Sequence, residues 1–356
     1  MVFIVDNANL SIRVSLTALR LVGFWAPEGL TERKKWWYNV YGFFCFMFLL
    51  GTYIIIQVVD LFLRQIINDA DQLLRRENTD EGKDIVKQCN RETAVLQIVY
   101  MGITLVTMIG WATSAEKNKL PMRAWYPYDT SQSPAYELTY IHQVVALTLA
   151  ANLNVGKDSL VATLLAQCRC RLRLLGQALR MLSHDMDVME DRLTVEQEAI
   201  VSTRLRDCVQ RHQEALHAVV QLQACFSEPT FAQFTVSLVI ICATAFQLVS
   251  QVGNVVRLLS MGTYLLNMMF QVFIYCYQGN QLSEESVRVA EAAYEAPWQT
   301  YGATLRRSLL VVMARSRRAA LISAGGFITL SLASFMSIIK ASYSLFTLLQ
   351  QVEENN

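Results

Sequence analysis

Long apolar segments constrain the fold of this chain more than any other feature of its sequence. Six segments are long and apolar enough to cross a bilayer as helices, at residues 38–63, 93–115, 136–155, 229–248, 252–277 and 319–349. The third is the weakest, because Glu137, His142 and Asn152 interrupt it. Backbone inside a bilayer has to satisfy its own hydrogen bonds, so the sequence predicts an all-α polytopic membrane bundle.

The composition agrees with a membrane protein. Hydrophobic residues make up 53% of the chain and charged residues 17%, which is more apolar than a soluble protein of this length. The eight cysteines show no paired CxxC spacing, so neither a zinc site nor a disulfide framework is expected. All six prolines fall outside or at the ends of the apolar segments, which predicts largely unkinked spans.

The distribution of basic residues predicts how the spans are oriented. Most of the 31 Lys and Arg residues lie in residues 1–37 and in the flanks after the first, third and fifth segments. Cytoplasmic loops retain Lys and Arg, so both the N-terminus and these flanks should be cytoplasmic. If each of the six segments crosses the membrane once, the N-terminus and these flanks lie on opposite sides, so both cannot be cytoplasmic. Either a span is missing before Arg64, or the first segment dips in and returns, or long loops override the rule; the missing span is favoured.

Residues 157–227 predict two amphipathic helices outside the bilayer. Apolar residues recur every three or four positions in each, for example at Leu165, Leu172 and Leu179 in the first and Val201 and Leu205 in the second. The first helix should continue the third span into the cytoplasm, and the second should return to Pro229. Two helices that pack on each other are the simpler interpretation; an oligomer-forming base below the membrane is the alternative.

The last apolar segment, 319–349, combines lipid-compatible and polar residues. It carries Lys340, a row of Ser and Thr hydroxyls, and Gln350 with Gln351 directly after it. Such a mixture suits a helix that contacts lipid on one side and water on the other. We therefore expect this helix to line a pore, followed by a short extracellular tail at 350–356.

Several motifs resemble one family of membrane proteins. IYCYQGNQLSEESVRVAEAAYEAPW at 274–298 and FITLSLASFMSIIKASYSLFTLL at 327–349 resemble the C-terminal signature of the insect odorant receptors. WYPYD at 125–129, GFWAP at 23–27, and Asp158 with Ser159 are also similar to that family. The resemblance covers nearly the whole chain.

The resemblance implies a seven-span subunit of a tetrameric, odorant-gated, non-selective cation channel in the plasma membrane of an olfactory neuron. In that family a divergent tuning subunit assembles with a shared co-receptor. The co-receptor's long cytoplasmic insertion has no counterpart here, which favours a tuning subunit. Residues 1–37 would be a cytoplasmic N-terminal segment, 38–277 the transmembrane bundle, 278–318 cytoplasmic anchor helices and 319–349 the pore helix. The second span of the family would fall near Leu63 and is missing, which suggests a splice form, a truncated gene model or a merged first segment.

The same resemblance places an odorant pocket in the outer half of the bundle. At that depth lie eight residues, most of them apolar, aromatic or thioether groups: Met108, Trp111, Val144, Val145, Thr148, Tyr264, Leu265 and Met268. Ordinary helix packing is the alternative for each of them. Thr347 would match the family's gate and Gln350 or Gln351 its filter, while Lys340 either faces a water-filled vestibule or extends its ammonium to a polar region.

Other classes of protein fit the sequence less well. A G-protein-coupled chemoreceptor would also have about seven spans, but the basic residues place the N-terminus inside and no NPxxY motif occurs in the last span. A transporter would show internal repeats and broken helices. A non-functional isoform lacking one span is a further alternative. The sequence shows no HExxH or GxxxxGK[ST] motif, so no enzyme, cofactor, metal or nucleic-acid partner is expected; the partners would be a volatile odorant, the co-receptor and lipid.

Overall fold

The structure, a computed structural model, describes residues 79–113, 135–186, 192–250 and 255–354. All of these belong to one of the two compact units into which the chain divides, Asp69–Asn356. The predicted first span at 38–63, the region near Leu63 where a second span is expected to be missing, and the GFWAP and WYPYD motifs lie outside the described residues.

The described residues are almost entirely helical, as the apolar segments predict. The elements are α1 (Asp80–Thr113), α2 (Ala135–Arg180), α3 (Val195–Ser250), α4 (Val255–Glu295), a 3-10 turn (Trp298–Thr300), α5 (Ala303–Ser316), β1 (Ser323–Ala324), β2 (Ile328–Thr329) and α6 (Leu332–Glu354). By length and composition, α1, α3, α4 and α6 could each cross a membrane. The predicted all-α membrane fold is confirmed, and α2, which contains the weakest predicted segment, is not among these four helices.

Two element boundaries differ from the prediction. The helix expected to end near Pro229 and the span expected to begin there form one continuous helix, α3, with Pro229 inside it. The last helix begins at Leu332 rather than at residue 319. The preceding residues form the antiparallel β1–β2 hairpin, whose turn contains Gly325 and Gly326 at positive φ. Only glycine adopts that backbone without strain, and apolar composition alone could not reveal it.

The two predicted amphipathic stretches pack on each other. Leu165, Leu172 and Leu179 of α2 share one buried cluster with Val201 and Leu205 of α3. This core also receives apolar residues from α4, α5 and the hairpin. This core therefore fixes α2, α3 and α4 against one another.

An exposed ion pair ties the end of α2 to α3. Arg204 donates from two nitrogens to the carboxylate of Asp185, at 2.6 and 2.7 Å, and also to the carbonyl oxygen of Leu182. The hydrogen bonds from Arg204 lower the pKa of Asp185 to about 2. The pair is therefore charged at neutral pH.

Candidate ligand-binding cavity

A cavity of about 450 Å³ lies between α1 and α2. Its lining residues recur at helical spacing on both helices, so each helix presents one face to it. On α1 they are Met101, Gly102, Thr104, Leu105, Met108, Ile109, Trp111 and Ala112, and on α2 they are Gln143, Val144, Leu147, Thr148, Asn152 and Val155. Most of these side chains are apolar, aromatic or thioether groups.

Four of the eight predicted pocket residues line this cavity. Met108 and Trp111 do so from α1, and Val144 and Thr148 from α2. Val145, next to Val144, has 51% of its surface exposed and is not a lining residue. Successive residues on a helix point about 100° apart, so one of two neighbouring valines faces the cavity and the other turns away from it.

The three predicted residues on α4 do not line the cavity. Tyr264, Leu265 and Met268 are absent from its walls, and Met268 is buried in the packing. Membrane depth, on which their prediction rested, does not determine which face of a helix turns towards a neighbour. Conversely, the sequence did not single out Met101, Leu105, Leu147 and Val155, which also line the cavity. They lie at helical spacing from Met108, Val144 and Thr148.

The polar groups of the cavity are largely engaged with backbone. The Thr148 hydroxyl donates to the carbonyl oxygen of Val144 at 2.7 Å, and the Asn152 amide donates to that of Thr148 at 2.8 Å. A hydroxyl satisfied by its own helix has no second proton to offer a ligand. The cavity can thus bind chiefly through shape and dispersion, with few directional hydrogen bonds.

A buried polar cluster lies one helical turn beyond Val155, the last cavity residue on α2. It consists of Asp158 on α2, Tyr100 on α1, and Gln271 and Tyr275 on α4, and is here called the Asp158 cluster. Both tyrosine hydroxyls donate to the Asp158 carboxylate at 2.8 Å, and the Gln271 amide donates to it as well.

The Asp158 cluster compensates a charge that is almost fully buried. Asp158 is 1% exposed, and besides its three donors it has the Lys157 ammonium at 3.3 Å. A carboxylate in such a position is tolerated because it is paired and hydrogen-bonded. The cluster joins three helices directly beside the cavity, because Val155 lies one helical turn from Asp158.

Three of the four predicted pore residues share one face of α6. Among the residues of this helix whose burial is described, Ile338 and Ser342 are buried, and Phe335 is packed against the core. At about 100° per residue, Lys340, Thr347 and Gln351 fall on the opposite side, with Gln350 between the two faces. They therefore lie on the side of α6 that turns away from the rest of the described chain; their role in a pore stays a prediction.

The described helices and the apolar cavity between two of them define a multi-pass α-helical membrane protein. A sequence profile described as 7tm odorant receptor matches residues 45–343, and the chain belongs to this family. It is a receptor and not an enzyme. The family assignment also does not favour the G-protein-coupled alternative.

Similar proteins agree with this assignment. The chain is 24% identical over 400 residues to odorant receptor Or1 of Anopheles gambiae, covering 96% of this chain and 95% of that protein. It is 26% identical over 286 residues to odorant receptor 82a of Drosophila melanogaster, covering 77% and 71%. Its fold is similar to that of the insect olfactory receptor OR5 of Machilis hrabei solved in complex with eugenol, with a TM-score of 0.68 at 17% identity, covering 96% of this chain and 99% of that one.

Proposed function

We propose that this odorant receptor is a tuning subunit that binds a small volatile molecule in the cavity between α1 and α2. Together with a shared co-receptor it would form a heterotetrameric, ligand-gated, non-selective cation channel in the plasma membrane, with its N-terminus in the cytoplasm. The observation that carries the proposal is the cavity itself, with its apolar walls and the aromatic side chain of Trp111.

The size and chemistry of the cavity set the class of ligand. Its volume of about 450 Å³ lies within the range of small-molecule sites. A ligand that buries roughly 200 Å² of apolar surface would gain on the order of 5 kcal/mol, from which the cost of immobilisation is subtracted. Weak, shape-selective binding of small volatile compounds follows, and the thioethers of Met101 and Met108 allow some repacking.

The helix α6 supplies the pore in this proposal. Thr347 would lie at the gate, and Gln350 or Gln351 would offer amide oxygens to a partly hydrated cation. Neutral amide dipoles discriminate weakly between cations, which agrees with a non-selective channel. Lys340 would face the water-filled vestibule, because it shares a face with Thr347.

A pair of neighbouring substitutions on α2 tests the ligand site. Val144→Trp should fill part of the cavity and abolish the odorant-evoked current, whereas Val145→Trp, on the outward side, should leave it intact. Each full-length variant is co-expressed with a co-receptor, and currents are normalised to surface-labelled protein. The panel contains volatile alcohols, esters and phenols, including eugenol. Equal responses of both variants would exclude this cavity, and a response lost when G proteins are blocked would exclude direct gating.

A further inference from the structure

We infer that Thr104 and Asn267 form a positioning pair that transmits occupancy of the cavity to α4, an inference that rests on the proposed function. α4 contributes no residue to the cavity lining in the part of the chain that the structure describes. It is nevertheless hydrogen-bonded to the cavity wall. The link is the hydroxyl of Thr104, which lines the cavity on one side and reaches α4 on the other.

The hydrogen bond between the two residues is buried. The Thr104 hydroxyl shares its one proton between Oδ1 of Asn267, at 3.1 Å, and the carbonyl oxygen of Tyr100 on its own helix, at 2.9 Å. Thr104 is 8% exposed and Asn267 7%. Removing the hydroxyl takes a donor from an amide oxygen that water cannot readily reach, so the loss is not easily compensated.

A second attachment lies further along the same face of α4. Asn267, Gln271 and Tyr275 follow one another at intervals of four residues, so they share a face of the helix. Gln271 and Tyr275 both bind Asp158, which also binds Tyr100. Tyr100 and Thr104 are one turn apart on α1. The wall of the cavity formed by α1 is therefore fixed to α4 at two successive levels.

The opposite side of α4 contacts the last helix. Phe273 lies about 200° around the helix from Gln271, and its ring packs edge-on against Phe335 of α6 at 5.6 Å between centroids. α4 is thus interposed between the cavity wall and α6. A ligand can shift a gating equilibrium only if it binds the two states with different affinity. Directional hydrogen bonds couple α1 to α4, because α1 cannot move against α4 without straining them. A position of the α1 wall that the ligand prefers therefore also sets the position of α4.

Two buried threonines of α1 give a matched test. Thr104→Val removes the hydroxyl that reaches Asn267, whereas Thr107→Val, outside the cavity lining, removes a hydroxyl that donates to the carbonyl oxygen of Ile103 on its own helix. Both variants keep the volume of the side chain. We expect Thr104→Val to lower the maximal odorant-evoked current about tenfold at equal surface amount, the change that corresponds to about 1.4 kcal/mol. Thr107→Val should change it less than about twofold.

Ligand binding is measured separately from current. The probe is eugenol, or another panel compound that activates the wild type. It is titrated into purified receptor, and the change in tryptophan fluorescence is recorded. The signal that is lost in Trp111→Phe is the part that reports on the cavity. The half-saturating concentration should shift less than about twofold in Thr104→Val, because the cavity keeps its shape. A structural defect would instead change binding and current together. Thr104→Ser, which restores the hydroxyl, should restore the current.

Substitution of the partner residue, Asn267, completes the test. Asn267→Leu should reproduce the loss of current, and the double variant Thr104→Val/Asn267→Leu should be no worse than either single one, since both remove the same hydrogen bond. Full maximal current in Thr104→Val, or additive losses in the double variant, would overturn the inference. If Val144→Trp blocks the response and Thr104→Val does not weaken it, the proposed function stands and only this inference fails. If Val144→Trp also has no effect, the cavity is not the ligand site.

Discussion

The guanidinium of Arg173 on α2 lies 2.7 Å from the carboxylate of Glu285 on α4. The Glu285 side chain is 5% exposed and also accepts from Arg288 at 3.1 Å. Close by on α2, the fully buried Arg169 donates to Glu92 of α1 at 2.9 Å. Charged pairs therefore join α1, α2 and α4 a few turns away from the Asp158 cluster.

Glu285→Gln should destabilise the receptor by about 2 kcal/mol, because it weakens hydrogen bonds between charged groups at a side chain that is 5% exposed and leaves Arg173 only the more distant carboxylate of Glu92, at 3.9 Å. The measurement is the midpoint of thermal unfolding of the detergent-solubilised protein, read as the folded fraction after heating. The Arg180–Glu295 pair is the control, since it joins the same two helices but its side chains are 45% and 55% exposed. Glu295→Gln should cost less than about 1 kcal/mol. Equal losses in the two variants would contradict a special role for the buried pair.

The close contact between Gly279 of α4 and Leu330 leads to a second prediction. A Cβ atom built at Gly279 would overlap the side chain of Leu330, which directly follows the β1–β2 hairpin. Gly279→Ala should therefore destabilise the protein by about 1–3 kcal/mol, as over-packing usually does. Thermal unfolding in detergent measures the effect.

Gly262 is the matched control for that substitution. It lies on the same helix, and a Cβ there would have no neighbour within 4 Å. Gly262→Ala should be neutral or slightly stabilising, because alanine favours the helix. A destabilisation of similar size in both variants would indicate that helix α4 itself, and not its contact with Leu330, is sensitive to the change.

The sequence predicted the helices better than it predicted their neighbours. Apolar length and helical period gave the helical segments, because a bilayer leaves few alternatives for backbone hydrogen bonds. Apolar length and helical period could not show that α4 packs against α1. The period defines which residues share a face of a helix, but not which other helix that face contacts. For this reason Tyr264, Leu265 and Met268, which were assigned to the pocket by depth, are not among the residues that line this cavity.

The Asp158 cluster is a second example of this limit on what the sequence can predict. Asp158 could be noticed in the sequence as a feature similar to the family, but its partners Tyr100 and Tyr275 lie 58 and 117 positions away. Only packing of α1, α2 and α4 brings them together. The hairpin before α6 was also missed, because the apolar composition around Gly325 is that of a membrane span.

The face of α6 that carries Thr347 gives the last prediction. Thr347 is on the side away from the buried Ser342, which is 2% exposed. If that side lines an aqueous pore, Thr347→Cys should react with a charged methanethiosulfonate reagent, and the odorant-evoked current of receptor co-expressed with co-receptor should fall irreversibly. Ser342→Cys is nearly isosteric, and its side chain is packed against the rest of the chain, so the current of this variant should persist after treatment.

Wild-type receptor treated in parallel accounts for reaction at the eight native cysteines. Because the reagent is charged, it does not reach side chains in lipid. An unmodified Thr347→Cys, or faster modification of Ser342→Cys, would assign the outward face of α6 to lipid and remove Thr347 from the pore.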